Sequence, residues 1–245
     1  VCMNLLAQLL EEKNAHRKGG LYHQTQILFA YNSNRIEGSR LTHEQTRFIY
    51  ETNTFLPDGD TPIRTDDVIE TINHFQAFDY MLEVAGQPLS EAIVKELHRL
   101  LKRGTSDERD PRFRVGDYKA LPNMIGETVY TAAPKEVSAQ MQELLRAYQT
   151  KTSVKERDVI DFHYHFEKIH PFQDGNGRVG RLIMFKECLA HGLVPFVIDS
   201  DHKLFYYRGL REYPQEPGYL VDACLSAQDN YRQLIAYFQQ PPLEP

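Results

Sequence analysis

Apolar side chains recur every three to four residues along most of the chain, which is the spacing of helices that bury one face. The first run holds Leu5, Leu6, Leu9 and Leu10, and the two glycines at 19–20 end it. The chain is therefore predicted to be mainly helical. From this spacing, helices are expected over about 5–18, 21–35, 42–54, 65–82, 90–103, 134–149, 155–169, 177–191, 203–210 and 219–238.

Polar residues stand before several of these runs and are expected to cap helices. Thr42 followed by Gln45 matches the capping box, in which each residue satisfies a backbone N–H of the other. Thr65 and Ser90 are expected to cap the next two helices in the same manner.

One segment, residues 105–133, interrupts the helical pattern. It holds several prolines and glycines, among them Pro111 and Gly116, and two short β-prone pieces, Arg114–Leu121 and Thr128–Thr131. This combination predicts an irregular hairpin or flap. The expected fold class is mainly α, a helical core with one small β-hairpin flap.

Composition and charge narrow the function classes. The chain has 245 residues, 41% hydrophobic and 25% charged, which is ordinary for a globular fold. Its net charge of −6 argues against nucleic-acid or anionic-membrane partners, because both require surplus positive charge. No apolar run approaches the roughly 20 residues of a spanning helix, and no signal-peptide pattern opens the sequence. Cys2, Cys188 and Cys224 lack CxxC spacing and favour a reducing, cytoplasmic location.

Residues 170–181, HPFQDGNGRVGR, concentrate the candidate chemistry. Pro171 disfavours helical geometry at His170, so the preceding helix is expected to end there. Gly175 and Gly177 can adopt positive φ, and a helix follows at once. Backbone N–H groups in such a turn, together with the positive end of the helix dipole, predict a site for an anion such as phosphate.

The side chains around this turn suit a reaction on phosphate. Arg178 and Arg181 are three residues apart, so they share a helix face, and guanidinium forks match phosphate oxygens. Asp174 offers a hard oxygen ligand for Mg²⁺, and His170 titrates near neutral pH and can act as a general base. Each feature alone is usually structural or solvated, but their combination in one short stretch favours phosphate chemistry.

Together these residues resemble the Fic family, whose motif HPFx(D/E)GNGRxxR is matched at every specified position. The resemblance implies a Fic-type helical core that transfers AMP from ATP to a Ser, Thr or Tyr hydroxyl of a protein. It implies that His170 deprotonates the hydroxyl and that Asp174 holds Mg²⁺ or Mn²⁺. The implied nucleotide ligands are Gly175, Asn176 and Gly177 for the α-phosphate, Arg178 for the β-phosphate and Arg181 for the γ-phosphate.

Two further regions resemble parts of Fic proteins. Family flaps cover the nucleotide and hold an extended target segment by strand addition, and the matching stretch here is Ile125-Gly126-Glu127-Thr128. Tyr206 and Tyr207 stand where relatives place tyrosines that contact adenine. Neighbours on a helix cannot share a face, so one tyrosine is expected to stack on the base and the other to pack. A plain surface hairpin and core packing of both tyrosines remain the alternatives.

Upstream, the stretch SNRIEG at 33–38 resembles the family's inhibitory motif (S/T)xxxE(G/N), matched by Ser33, Glu37 and Gly38. Its place before the core resembles the class with an N-terminal inhibitory helix, expected here at about 21–38. The resemblance implies that Glu37 pairs with Arg181 and thereby excludes the γ-phosphate. Some relatives use the same glutamate to orient water and remove AMP, so the chain is expected to be able to run both directions.

These expectations divide the chain into three parts: an N-terminal helical region, 1–89, a catalytic core, 90–227, and a C-terminal helix end and tail, 228–245. The expected partners are ATP, a protein target along the flap, and the enzyme itself through self-modification. A homodimer is left open. Neither nucleic acid nor a membrane is expected as a partner.

Two other functions remain open at this point. A metal-dependent hydrolase would use His163, His165 and His170, although side chains two apart on a helix converge poorly on one metal. A non-catalytic adaptor would need only the Fic fold, and the intact motif argues against it. The sequence does not determine the target protein or its hydroxyl, nor does it restrict the nucleotide to ATP.

Overall fold

The computed structural model describes residues 4–57, 59, 62–126 and 129–239. These residues form ten α-helices, a 3-10 helix over Ser200–His202 and a two-stranded hairpin, which confirms the mainly helical class. The helices are α1 (Leu5–Asn14), α2 (Leu21–Ile36), α3 (His43–Thr52), α4 (Thr65–Glu83), α5 (Glu91–Lys102), α6 (Pro134–Gln149), α7 (Glu156–Ile169), α8 (Asn176–Ala190), α9 (Lys203–Glu212) and α10 (Gly218–Phe238). The strands are β1 (Met124–Ile125) and β2 (Val129–Tyr130).

Most helices begin and end where the turn and cap residues predict. Thr42 Oγ1 accepts a hydrogen bond from the Gln45 N–H (3.1 Å), and Gln45 Oε1 accepts one from the Thr42 N–H (2.9 Å), which completes the capping box of α3. Ser90 caps α5 as expected. The cap assigned to Thr65 is wrong: Thr65 is the first residue of α4 and Arg64 precedes it without a side-chain cap. Acidic residues in the first turn complement the helix dipole there instead.

The flap is a hairpin, but its first strand lies further along the chain than predicted. β1 and β2 pair antiparallel with Ile125 opposite Val129. The β-prone piece 114–121 is not a strand, because Arg114 and Gly116 have φ of +47° and +85° and turn the chain. The alternating side chains of that piece therefore do not line one face of a sheet.

Helix α8 is the buried centre of the fold. Its residues from Asn176 to Leu189 are all buried, as expected for a helix surrounded by others. Helices α2, α4, α5 and α7 pack around it. The loop between α7 and α8 is thereby held from several sides, and this loop carries the predicted motif.

The main hydrophobic core extends from Leu9 in α1 to Ile235 in α10, and a smaller cluster of Ala30, Leu41, Ile49 and Phe75 holds α3 against α2 and α4. Helices α1, α2 and α4 therefore pack into the same core as the helices that follow them. Helix α10 also runs unbroken across position 228, where the C-terminal part was expected to begin. The predicted regions are segments of one packed unit.

The cysteines behave as small buried side chains. Cys188 and Cys224 are buried free thiols, as expected, while Cys2 and the predicted tail lie outside the described residues. None of the described helices is both long and apolar enough to cross a membrane.

Candidate active site

The loop between α7 and α8 turns sharply at both of its ends. His170 follows α7 with φ +53°, a left-handed conformation that is unusual for a residue with a Cβ, and Pro171 follows it. Gly175 precedes α8 with φ +82°, which glycine adopts without strain. Of the two glycines that can adopt positive φ, only Gly175 does so, and Gly177 lies within α8.

Asn176 and His98 hold this loop in shape. The Asn176 amide accepts a hydrogen bond from the Phe172 N–H (2.8 Å) and donates one to the Phe172 carbonyl (2.9 Å). The Phe172 ring is fully buried and stacks on His98 at 3.9 Å between ring centroids. Both polar atoms of the buried Asn176 side chain are thus used within the loop, and its expected contact with the α-phosphate stays a prediction.

His98 was not singled out in the sequence, and its two ring nitrogens connect three parts of the site. Nδ1 accepts a hydrogen bond from the Gly116 N–H (3.0 Å), so Nε2 carries the proton and donates it to the Asp174 carbonyl (3.0 Å). Burial lowers the pKa of His98 to about 3, which keeps this tautomer neutral. A histidine on the apolar face of α5 is too common a feature for sequence alone to reveal this role.

His170 has the protonation state that a general base requires. Its Nδ1 lies 3.3 Å from the Glu167 carbonyl, which can only accept a hydrogen bond, so Nδ1 carries the proton and Nε2 is left with its lone pair. Burial, reinforced by the charge of Lys119, lowers the pKa of His170 to about 4. The Glu167 side chain lies 4.0 Å from Nδ1, but burial and the charge of Glu37 raise its pKa to about 8. Both groups are thus neutral at pH 7, and they do not form an ion pair.

Lys119 ties the flap to the motif and was missed by the sequence analysis. Its backbone N–H donates to the Pro171 carbonyl (2.8 Å), and its Nζ donates to Asn123 Oδ1 (2.6 Å) and Thr131 Oγ1 (2.7 Å) on the two sides of the hairpin. Burial lowers the pKa of this amine to about 8. Of the predicted flap residues, Ile125 is partly exposed in β1 and Gly126 turns with φ +60°, while Glu127 and Thr128 lie outside the described residues.

The N-terminal end of α8 offers unpaired donors. The first hydrogen bond of this helix runs from the Val179 N–H to the Gly175 carbonyl (3.1 Å), so the N–H groups of the first turn have no partner within the helix. Arg178 lies in this first turn and Arg181 in the next, and both are almost completely buried. Nη1 of Arg181 and Nε of Arg178 lack hydrogen-bond partners among the described residues. Buried cationic donors of this kind suit an anion such as a phosphate.

Helix α2 delivers the predicted inhibitory residues to Arg181. Glu37 Oε1 lies 2.7 Å from Nη2 of Arg181, and Ser33 accepts hydrogen bonds from the same guanidinium at its Oγ (3.0 Å) and its carbonyl (2.9 Å). Ser33 and Glu37 are four residues apart and so share a helix face. Gly38 has φ +96° and ends α2 directly after Glu37.

Gly177 lies against this ion pair. A Cβ on Gly177 would lie 2.2 Å from Oε1 of Glu37 and 3.0 Å from Nη1 of Arg181. The absence of a side chain at this position therefore lets the Glu37 carboxylate approach the N-terminal end of α8 and the preceding loop of residues 170–175, which we call the anion loop. This close approach, and not backbone conformation, accounts for glycine at position 177.

The two tyrosines of α9 differ in their surroundings. Tyr206 is buried, donates to or accepts from Nε2 of His163 at 2.6 Å, and packs beside the Arg181 guanidinium. Tyr207 is more than a third exposed and donates a hydrogen bond to the Ile36 carbonyl (2.9 Å) at the end of α2. The packing tyrosine is thus Tyr206, and the role of Tyr207 toward adenine stays a prediction.

Among the described residues, one group of three side chains is spaced closely enough to ligate a metal ion together. This group does not include the three histidines of the hydrolase alternative. Glu70, Asp107 and Asp174 have carboxylate oxygens within 4.8 Å of one another. Nζ of Lys102 contacts all three, at 2.6 Å from Asp174 and 2.5 Å from Asp107. His163 is instead bonded to a tyrosine. A lysine therefore lies among the three carboxylates and balances part of their charge.

Asp174 nevertheless suits a divalent cation. Its side chain is about half exposed, and both Lys102 and Arg178 contact the same oxygen, Oδ2, so neither engages Oδ1. Burial would raise its pKa, but the charges of Arg178 and Lys102 outweigh this and hold it well below the ordinary value of an aspartate. The carboxylate is thus ionised, and one of its oxygens is left for a hard cation.

A neutral histidine, a loop that precedes a helix N-terminus and two buried arginines lie together in one helical domain, an arrangement that suits an anion. In the comparison with known proteins, residues 88–188 match the model of the Fic/DOC family. These residues form a Fic/DOC-family domain.

Relatives of known name and structure extend this similarity beyond the matched segment. The chain is 30% identical over 184 residues to a protein adenylyltransferase Fic of Drosophila persimilis, covering 74% of this chain and 35% of that protein. It is 26% identical over 189 residues to one of Nematostella vectensis, covering 74% and 42%. The chain thus spans less than half the length of these curated relatives. The crystal structure of a Fic domain-containing signaling protein from Bacteroides thetaiotaomicron superposes with a TM-score of 0.72 at 25% identity, covering 95% of this chain and 90% of that one.

Proposed function

We propose that this chain is a protein adenylyltransferase, which transfers AMP from ATP to a Ser, Thr or Tyr hydroxyl of a protein. The observation that carries the proposal is the convergence of three groups at one helix end. These are a neutral His170, the unpaired N–H groups of α8, and the buried cations Arg178 and Arg181. The relatives named protein adenylyltransferase Fic support the same reaction.

In this reaction the hydroxyl oxygen forms a bond to the α-phosphorus, the bond from that phosphorus to the bridging oxygen breaks, and pyrophosphate leaves. Nε2 of His170 takes the hydroxyl proton, since Nδ1 is committed to the Glu167 carbonyl. The N–H groups of the first turn of α8 stabilise negative charge on the α-phosphate. Arg178 and Arg181 bind the β- and γ-phosphates and hold the leaving group.

Asp174 would hold Mg²⁺ through the carboxylate oxygen that Lys102 and Arg178 do not engage. When bound, the metal would supply Lewis-acid stabilisation of phosphate charge. Mn²⁺ has similar ligand preferences and is proposed as a substitute.

We further propose that Glu37 inhibits this activity. Its carboxylate lies on the guanidinium that would bind the γ-phosphate, and two anions cannot share one fork without mutual repulsion. Removal of AMP by water that Glu37 orients is proposed as the reverse activity of the same site. An extended target segment is proposed to add beside the exposed hairpin, where the side chains of Val129 and Tyr130 are accessible.

The experiment is a transfer assay with ATP labelled on either the α- or the γ-phosphate, with Mg²⁺ and a cell lysate as the source of targets. The His170→Ala variant, checked for an unchanged melting temperature, is the matched negative control and gives the labelling that enzymes of the lysate cause. Adenylyl transfer predicts that label above this control enters protein from α-labelled ATP alone, because the γ-label departs with pyrophosphate. Label from γ-labelled ATP above the same control would contradict the proposal and indicate phosphoryl transfer.

A further inference from the structure

Four alternating charges form a closed ring beneath the anion loop. Glu70 of α4 contacts both Lys102 of α5 and Arg178 of α8. Asp174 also contacts both cations, with its Oδ2 at 2.6 Å from Lys102 Nζ and 3.2 Å from Arg178 Nη2. Two members belong to the motif, whereas Glu70 and Lys102 lie on other helices. Glu70 precedes the segment that matches the Fic/DOC family.

Burial makes this ring a rigid arrangement. The Lys102, Arg178 and Glu70 side chains are 3%, 5% and 12% exposed, while Asp174 is 49% exposed. An ionised group at such depth is costly without a partner, so each charge restricts the position of its neighbours. The three inner members therefore form a fixed base, and Asp174 is the member that faces the solvent side of the loop.

Glu70 differs from Glu37 in how its charge is balanced. The two oxygens of Glu70 are divided between two cations, Oε1 with Lys102 and Oε2 with Arg178. Glu37 contacts one cation, Arg181, and is 31% exposed. The Glu70 carboxylate is held in place because it is shared by two buried cations. The Glu37 carboxylate contacts a single guanidinium and is partly exposed, so it can move away from Arg181.

We infer that Glu70 is a positioning residue, which orients Arg178 directly and Asp174 through Lys102, so that the guanidinium and the carboxylate are preorganised for a β-phosphate and its metal. The inference rests on the proposed function for the identity of the ligand. Without Glu70, Lys102 would keep Asp107 and Asp174, but Asp174 would be the one carboxylate in contact with Arg178 among the described residues, and that pairing would compete with binding of the phosphate.

Nucleotide binding tests this inference without any transfer reaction. The variants are Glu70→Gln, which keeps the shape and removes the charge, and Glu70→Asp, which keeps the charge. Both are made in the Glu37→Gly background, so that Arg181 is free. Dissociation constants for ADP and for AMP, each with Mg²⁺, are measured by titration calorimetry. AMP lacks the β-phosphate, so its binding reports folding and general site integrity.

Glu70→Gln is expected to weaken ADP binding about tenfold, the scale of a charge-assisted contact, and to change AMP binding less than twofold. The affinity of Glu70→Asp for ADP is expected to lie between that of Glu70→Gln and that of the parent. Glu187→Gln is the matched control, since it removes a buried partner of Lys186 away from the loop. It should lower the melting temperature without changing the ratio of the dissociation constants for ADP and AMP. If Glu70→Gln does not fold, the ratio of these constants for Glu70→Asp tests the inference.

Two results would overturn the inference. An unchanged ADP-to-AMP ratio in both variants would reduce Glu70 to a structural ion pair. Tighter ADP binding would make it a competitor of phosphate, like Glu37. Loss of adenylyl transfer in the parent, with intact ADP binding and the expected ratio change, would contradict the proposed function and leave this inference standing.

Discussion

Oε1 of Glu37 lies 2.7 Å from Nη2 of Arg181, although the two residues are 144 positions apart in the sequence. Burial alone would lower the pKa of Arg181, but the charge of Glu37 outweighs it and raises the pKa, so the guanidinium is permanently charged. The proposed γ-phosphate ligand is thus paired with a carboxylate at the C-terminal end of helix α2. Ser33 holds the other edge of the same guanidinium, which fixes α2 against α8.

The pH dependence of transfer should show a base that is neutral well below pH 7. The pKa of His170 is about 4, so its protonation does not change between pH 7 and pH 6, where Lys119 and Glu167, with pKa values of about 8, also keep their charge states, and we expect a flat initial rate there. Lys119→Met removes a charge that lowers this pKa. The pH at which the initial rate falls on acidification should therefore be higher in this variant. Thr131→Val, which loosens the same flap anchor and keeps the charge, should not change this pH. If the initial rate of the wild-type enzyme fell with a midpoint at about pH 6.5, the ordinary pKa of histidine, this assignment would be contradicted.

Fold stability should fall steeply on mild acidification. Burial lowers the pKa of His74, His98 and His163 to about 3 each. Between that value and about 6.5 the unfolded chain binds protons that the folded chain refuses, so the free energy of unfolding decreases as pH falls. His170 adds to this, and Glu167, whose folded pKa is raised, opposes it.

The net expected slope is on the order of 3 kcal/mol per pH unit near pH 5.5, to be measured by urea unfolding from pH 7.5 to pH 5. His74→Phe is the control variant, because both ring nitrogens of His74 lack partners among the described residues. The slope of its free energy of unfolding against pH should be smaller by about 1 kcal/mol per pH unit. Equal slopes in both proteins would show that buried histidines do not cause the acid sensitivity.

Local signals sufficed for the helices and for the motif. The spacing of apolar residues and the Thr42–Gln45 box predicted elements that the structure confirms, because these features depend on residues a few positions apart. The inhibitory glutamate came from a resemblance, and the structure brings it to Arg181.

The residues that support the site were not predicted because their roles depend on contacts between helices that are distant in the sequence. Glu70, His98 and Lys102 read as ordinary helix residues until the packing of α4 and α5 against α8 brings them beneath the loop. The placement of the first flap strand failed for a local reason, since Arg114 adopts a positive φ that its residue type does not announce. Thr65 likewise satisfied a cap pattern one position too late.

We expect the transfer reaction to require a metal ion that Asp174 holds. Asp174→Asn keeps the size of the side chain and removes the charge, so we expect transfer to fall by about 10²-fold or more and to require higher Mg²⁺. Wild-type transfer should stop in EDTA and return with Mg²⁺ or Mn²⁺. Asp161→Asn, an exposed acid on α7, should leave the Mg²⁺ titration unchanged. Full wild-type activity in EDTA would exclude the metal and this role of Asp174.

Gly177 and Glu37 should be energetically coupled. An added Cβ would lie 2.2 Å from Glu37 Oε1, so Gly177→Ala should lower the free energy of unfolding by forcing the carboxylate off Arg181. In the Glu37→Gly background that clash is absent, and the same substitution should cost less. A double-mutant cycle from urea unfolding should give a coupling of about 1 kcal/mol or more. Additive effects would show that the loop and α2 do not share this contact.

The activity effect of Glu37 tests the central claim most directly. Glu37→Gly, and Glu37→Gln with nearly the original shape, should both increase AMP incorporation, including self-modification, because Arg181 is freed for the γ-phosphate. A charge-assisted contact of about 1.5–3 kcal/mol corresponds to roughly 10- to 100-fold in productive occupancy. Arg181→Ala combined with Glu37→Gly should remove the gain, since it removes the ligand for which Glu37 competes.

The measurement is the initial rate of AMP incorporation from α-labelled ATP with Mg²⁺, compared among wild type, Glu37→Gly, Glu37→Gln and the double variant at equal concentration of folded protein. We predict that both single variants are at least about tenfold faster than wild type and that the double variant is not. Single variants no faster than wild type on any target would contradict the account and reduce the Glu37–Arg181 ion pair to a structural contact.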